Sequence, residues 1–131
     1  MNTSHTLLSV VENGGYAHLF PVYRDMGFKL EIIPSVRKAQ SWLKRNRPLV
    51  MVVEFSFDPS FRDRMCNLES LLASIQKEKL ETKVFVLIEK ESLARLEPVS
   101  QRYPIDQVLT FPIDVGLLKQ HLSEIMQLAG E

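Results

Sequence analysis

Five apolar residues, Leu49-Val50-Met51-Val52-Val53, run without interruption and end on a single carboxylate, Glu54. The run offers no polar face, so no amphipathic helical stripe fits it. Its shortness and its valines favour a strand buried on both faces, as in a parallel sheet covered by helices on each side. Ligands of such sheets gather at the carboxyl ends of the strands. Glu54 stands at that end, before Phe55-Ser56-Phe57-Asp58-Pro59, which reads as a loop. It is therefore the first candidate site residue.

The remaining segments are consistent with such a sheet. Thr6-Leu7-Leu8-Ser9-Val10-Val11 is a short apolar strand that stops at Glu12-Asn13-Gly14-Gly15, a turn cluster. Tyr16, Leu19, Phe20, Tyr23 and Met26 have helical spacing, with Pro21 either starting or kinking that helix and Gly27 ending it. Phe28 to Ile33 alternates and ends at Pro34, which suits an edge strand. Ser35 caps a helix with an apolar stripe of Val36, Ala39, Trp42 and Leu43. Lys38, Lys44, Arg45 and Arg47 form its solvated face and C-terminal turn, which suits the helix dipole. A long helix is predicted from about Arg62 to Lys79, on the stripe Met65, Leu68, Leu71, Leu72 and Ile75. Lys83 to Ile88 repeats the pattern of the central strand. A short helix follows from Leu93 to about Val99, limited by Pro98, then a loop at Tyr103-Pro104 and a strand at Gln107 to Thr110. Asp114 caps the last helix, with stripe Val115, Leu118, Leu122, Ile125 and Met126. Five strands alternate with five helices, and strands one, three, four and five read as continuous apolar runs. That pattern predicts an α/β fold, a doubly wound five-stranded parallel sheet with helices on both faces.

The 131 residues suit one domain, residues 1–131, with no internal repeat. Sixteen basic residues balance sixteen acidic ones, which speaks against a bulk electrostatic attraction to nucleic acid or an anionic membrane. The single cysteine, Cys66, forms no internal disulfide and reads as a small core or helix-face residue in a reducing compartment. No run reaches membrane-spanning length and the first residues do not resemble a signal peptide, so a cytoplasmic location is expected. His5, His18 and His121 lack metal-ligand spacing, the glycine pair lacks a phosphate-loop pattern, and no serine sits in a nucleophile elbow. We therefore expect neither an enzyme nor a cofactor or resident metal. Glu12 and Glu54 would come near each other in such a fold, and a divalent cation could bind weakly between them.

Two stretches carry a family resemblance. Arg47-Pro48-Leu49-Val50-Met51-Val52-Val53-Glu54 resembles the "RPDLVLLD" stretch of receiver domains (response-regulator, CheY-like), and Leu109-Thr110-Phe111-Pro112-Ile113-Asp114 resembles their "LTKPFD" stretch. The order of elements agrees from about Thr6 to Leu128. The resemblance implies the (βα)5 flavodoxin-like, CheY-like fold, and a cis peptide bond before Pro112. It also implies a site with five parts: a phospho-accepting aspartate, an acidic pair that helps to hold magnesium, a Thr or Ser and a Lys that grip the phosphoryl oxygens, and a switch aromatic.

Placed on this sequence, the acceptor position is Glu54. The acidic pair falls on Val11 and Glu12 or, one residue further, on Glu12 and Asn13. The Thr/Ser position falls on Ile88, the Lys position on Phe111, and the switch aromatic on Val108. Ile88 cannot donate a hydrogen bond and Phe111 supplies no cation. A phosphoryl charge entering there would lack compensation, at several kcal/mol. The resemblance therefore implies a degenerate receiver, or pseudo-receiver, that works as a protein-interaction module in two-component signal transduction without phosphorylation. Its partner would be a protein, a second copy being possible, and neither nucleic acid nor membrane. In relatives the docking face is made by the fourth helix, fifth strand and fifth helix, which here offers Arg95, Arg102 and Tyr103. The alternatives are a phosphoryl-accepting regulator with an altered site and a small-ligand binder of flavodoxin-like type.

Overall fold

In a computed structural model, which describes residues 5–11, 14–55, 67–78 and 80–129, five parallel strands form one sheet in the order β2-β1-β3-β4-β5. The strands are β1 (Thr6–Val10), β2 (Lys29–Ile32), β3 (Val50–Glu54), β4 (Lys83–Ile88) and β5 (Gln107–Thr110). The helices are α1 (Phe20–Asp25), α2 (Val36–Leu43), α3 (Asn67–Lys77), α4 (Leu93–Arg102) and α5 (Val115–Ala129). Two 3-10 segments, Gly14–Leu19 and Lys90–Ser92, lead into α1 and α4. The doubly wound α/β sheet expected from the sequence is the one observed.

The central run becomes β3, flanked by β1 and β4 and buried along Val50–Val53. Alternation along each strand sends side chains into two separate core layers. Leu8, Val10, Met51, Val53, Val84, Val86 and Ile88 meet α2, α3 and α4, through Leu43, Leu71 and Leu96 among others. Leu7, Val50, Val52, Phe85, Leu87 and Leu109 meet the α1 and α5 side, with Tyr23, Leu118 and Leu122. Among the described residues, no helix is long and apolar enough to cross a membrane.

Local chemistry sets several boundaries. Pro21 lies in the first turn of α1, where its missing amide is harmless. Gly27 follows with φ of 95°, a backbone that a side chain would strain. The Ser35 hydroxyl accepts from the Lys38 amide at 3.3 Å, and an Asp114 carboxylate oxygen accepts from the Leu117 amide at 3.1 Å, so both predicted caps are present. The described part of α3 runs from Asn67 to Lys77; the residues before it, Cys66 included, lie outside the described set, and with them the expected first turns from Arg62.

Two expectations are corrected. Pro98 does not limit α4, which continues to Arg102. Both Ala94 and Pro98 are exposed, so the carbonyl that loses its amide partner faces water. And β5 is not a buried run like β3: it is an edge strand, with Val108 40% exposed.

The start of the β4–β5 ladder depends on a side chain. The Asp106 amide donates to the Val84 carbonyl at 2.9 Å, and the Val84 amide donates to Asp106 Oδ2 at 2.8 Å. We expect Asp106→Ala to destabilise the fold by about 1–3 kcal/mol in urea titrations, because it strands that amide, and Asp106→Asn to retain most of the stability because an amide oxygen can still accept. Tyr23 gives a second expectation. Burial pushes its phenol well above the ordinary tyrosine range. An unfolded tyrosine releases its proton near pH ~10. Above that pH the unfolded chain binds fewer protons than the folded one, so this contribution to stability is complete below pH ~10 and declines as pH rises further. Tyr23→Phe should remove the decline, read as the difference between the two proteins' unfolding free energies across alkaline pH.

Candidate functional site

The carboxyl ends of the strands form one pole of the molecule, and the sheet register fixes what meets there. Val10 pairs with Val53, Glu54 with Leu87, and Ile88 with Thr110. Just beyond the strands, the Phe55 amide donates to the Leu87 carbonyl and the Phe111 amide to the Ile88 carbonyl, each at 2.8 Å. Glu54 is the last residue of β3 and is half-buried. Among the described residues that meet it at this pole, the side chains are mainly apolar. Val11, Phe55 and Ile88 are buried, and Ile88 is a member of the core layer under α3 and α4. Phe111 sits at the outer edge, 44% exposed.

The structure therefore brings Glu54 and Ile88 to one pole, with Phe111 at its rim. Glu12 and Asn13 lie outside the described residues, and with them the expected Glu12–Glu54 carboxylate pair. Val108 is not part of this pole's interior: it lies on the edge strand, beside Val86, and is 40% exposed. The Phe111–Pro112 peptide bond is cis. Among the described residues, no group of three or more His, Cys, Asp or Glu side chains is arranged to hold a metal ion. His121 packs edge-on against the Phe85 ring, with centroids 6.2 Å apart, and lies 3.5 Å from Glu124 on its own helix.

The expected interaction residues are placed differently from one another. Arg95 is exposed on α4. Arg102 is exposed too, but it reaches Glu69 of α3 at 3.9 Å, away from β5. Tyr103 is half-buried, packs against the core layer shared by α3 and α4, and lines a cleft of about 300 Å³ with Leu72, Ile75 and Leu80. Neither Arg102 nor Tyr103 is thus directed at the β5 edge. The apolar groups exposed on that side are Leu93 at the start of α4, Val108 on β5, Phe111 after it, and Leu117 in the first turn of α5. Leu117 was missed from the sequence, although a signal existed: it falls off the stripe Val115, Leu118, Leu122, Ile125.

No family model matches this sequence, and no curated protein is similar to it. Solved structures are. The chain superimposes on the receiver domain of a Francisella response regulator with a TM-score of 0.73 and 17% identity, covering 95% of this chain and 98% of that one. The receiver domain of a sensor histidine kinase from Pseudomonas aeruginosa, which has magnesium in its active-site cleft, gives 0.71 and 15%, covering 95% and 99%. A member of a streptococcal family of redox sensors that evolved from two-component response regulators gives 0.75 and 14%, covering 95% of this chain but 52% of that one. The fold is that of receiver domains.

Restoring polar groups to the pole should have unequal effects. Ile88→Thr puts a hydroxyl at a fully buried position and should destabilise by about 1–3 kcal/mol in denaturant titrations. Phe111→Lys, at a partly exposed position, should change stability by less than about 1 kcal/mol.

Proposed function

We propose that this chain is a pseudo-receiver: a signalling domain that docks a protein partner through its α4–β5–α5 side and does so without phosphorylation at Glu54. The observation that carries the reading is the distribution of exposed apolar groups. Of the six large hydrophobic side chains exposed among the described residues, five belong to α4 (Leu93), β5 (Val108), the segment after it (Phe111) and α5 (Leu117 and, at its far end, Leu128). The edge strand between these helices pairs on one side only, with β4. Apolar anchors around such an edge provide contact area that a partner can desolvate.

The chemistry at the other end of β5 supports the second half of the proposal. A phosphoryl group carries charge close to −2 near neutral pH. Receiver-type chemistry would place it beside Ile88 and Phe111, which offer neither a hydroxyl donor nor a cation. Glu54 already carries a carboxylate one methylene longer than aspartate, so the acceptor oxygen is displaced by about a bond length from where an aspartate would hold it. The streptococcal redox sensors are proteins of this fold class whose input is described as redox. They show that descendants of two-component response regulators with this fold include redox sensors.

Two measurements test the proposal together. Magnesium and beryllofluoride, followed through the fluorescence of the single tryptophan, Trp42, should produce no saturable change that depends on Glu54. A protein captured by the wild-type chain should be retained by Glu54→Gln and lost by the pair Val108→Lys and Leu117→Glu, at roughly tenfold or greater reduction for the removal of central anchors. A saturable, Glu54-dependent response to the analogue, or a capture that follows Glu54 rather than the β5 edge, would overturn it.

A further inference from the structure

The α2 helix carries a charge distribution that its own stability does not explain. Between Glu31 and Glu54 the sequence holds no acidic residue and five basic ones, Arg37, Lys38, Lys44, Arg45 and Arg47. The other basic residues of the chain number eleven, against sixteen acidic ones, so the balanced net charge conceals a strong asymmetry. All five cations are exposed, and among the described residues none of them takes part in an ion pair.

Helix electrostatics account for only part of this. Lys44 and Arg45 follow the last turn, where the macrodipole favours cations. Arg37 and Lys38 lie in the first turn, where it opposes them, and no acidic residue balances them there. Spacing then gathers the charges. Arg37 and Lys38 stand in the first turn of α2, and Lys44 and Arg45 in the turn that closes it, so two pairs of exposed cations bracket the helix, roughly 10 Å apart by the helical rise. Ser41, also exposed, falls between them. The opposite face is anchored: Ala39 and Leu43 are buried, and the Gln40 side-chain amide donates to the Ser70 carbonyl and the Ser74 hydroxyl of α3 at 3.1 and 3.2 Å. The cationic face is thereby held on a fixed support.

We infer that the exposed face of α2 is a docking surface for a short acidic segment of a partner protein, in which carboxylates spaced over two helical turns meet the Arg37–Lys38 and Lys44–Arg45 pairs. The extent of the patch favours this occupant over nucleic acid. Tight duplex binding draws on some six to ten phosphate contacts, more than five cations supply. A longer polyanion would also run beyond the patch on to surface whose remaining charge is net negative, whereas a segment of a few residues stays within it. Strand order puts α2 on the β2 side of its helical layer and α4 on the β5 side. The inference is accordingly independent of the docking side proposed above, and the two surfaces are free to be occupied together.

The test is fluorescence anisotropy of a labelled hexaglutamate peptide titrated with the full chain, beside a labelled short DNA duplex. The peptide should bind at low ionic strength and weaken as salt rises. Lys38→Glu with Arg45→Glu should weaken it roughly tenfold or more, and Lys38→Gln with Arg45→Gln, which adds no repulsion, by a smaller factor. Compared at about 0.15 M salt, where the Debye length is about 8 Å, Lys77→Glu with Lys119→Glu, an equal reversal on exposed positions of α3 and α5, should weaken binding by less than the α2 pair does. Absence of peptide binding, or equal weakening by the control pair, overturns the inference. Tighter binding of the duplex with the same dependence on Lys38 and Arg45 also overturns it, and assigns the face to nucleic acid instead.

Discussion

Burial of β3 on both faces is the constraint from which the rest of the architecture follows. A strand with no wet face must have its amides and carbonyls paired on both edges, here by β1 and β4, and must be covered by helices above and below. Parallel pairing requires each connection to cross back over the sheet, which places α2, α3 and α4 on one side and α1 and α5 on the other. The same constraint shapes the pole where these strands end. Val10, Val53 and Ile88 are core residues up to the last turn of backbone, and Glu54 is the polar group that terminates the central strand. The apolar core therefore extends into the region where strand-end chemistry would be conducted. Ile88 is part of that extension of the interior, whereas Phe111, 44% exposed, stands at its rim.

That continuity bears on how such a domain could be controlled. A two-state protein shifts only as far as a ligand binds one state better than the other. On the proposed reading, a phosphoryl group at Glu54 would find neither a hydroxyl nor a cation at Ile88 and Phe111. On that reading the β5 edge is then presented constantly. Control would rest on the supply of partner and on competition for the surface.

Much of the fold was legible because its signals are local. Uninterrupted apolar runs marked the buried strands, Ser35 and Asp114 marked helix starts, and the alternation of Phe28 to Ile33 marked the edge at β2. The misreadings have non-local causes. Gln107 to Thr110 resembles a short buried strand, and whether Val108 is covered depends on how far the helices reach over the edge of the sheet, which no window of sequence contains. Pro98 was taken as a stop because proline removes a helical hydrogen bond. Solvent at Ala94 made that removal tolerable, and the extra turn of α4 carried Arg102 towards Glu69 and Tyr103 against the core. The candidate site was legible in its residues but less so in its surface: Glu54, Ile88 and Phe111 could be placed by strand ends, whereas the exposure of Leu117 and Val108 emerged only from packing.

The two surfaces differ in what they can contribute to recognition. Exposed cations on α2 act at a distance, raise the rate of encounter with an acidic segment, and lose strength as salt increases. Apolar side chains at the β5 edge act only on contact, and govern how long a partner stays. Each alone is modest, because a surface ion pair contributes about 0–1 kcal/mol and isolated exposed hydrophobic groups are common. Their placement on the β2 and β5 sides of one helical layer matters for that reason. A partner that engaged both through a linker would make the second contact intramolecular, and its affinity would be set by how well the linker spans the layer of α2, α3 and α4, with no new contact required. A rigid support is the condition for such an effect, and the packing of α2 on α3 through Gln40, together with the core layer shared by α3 and α4, provides it.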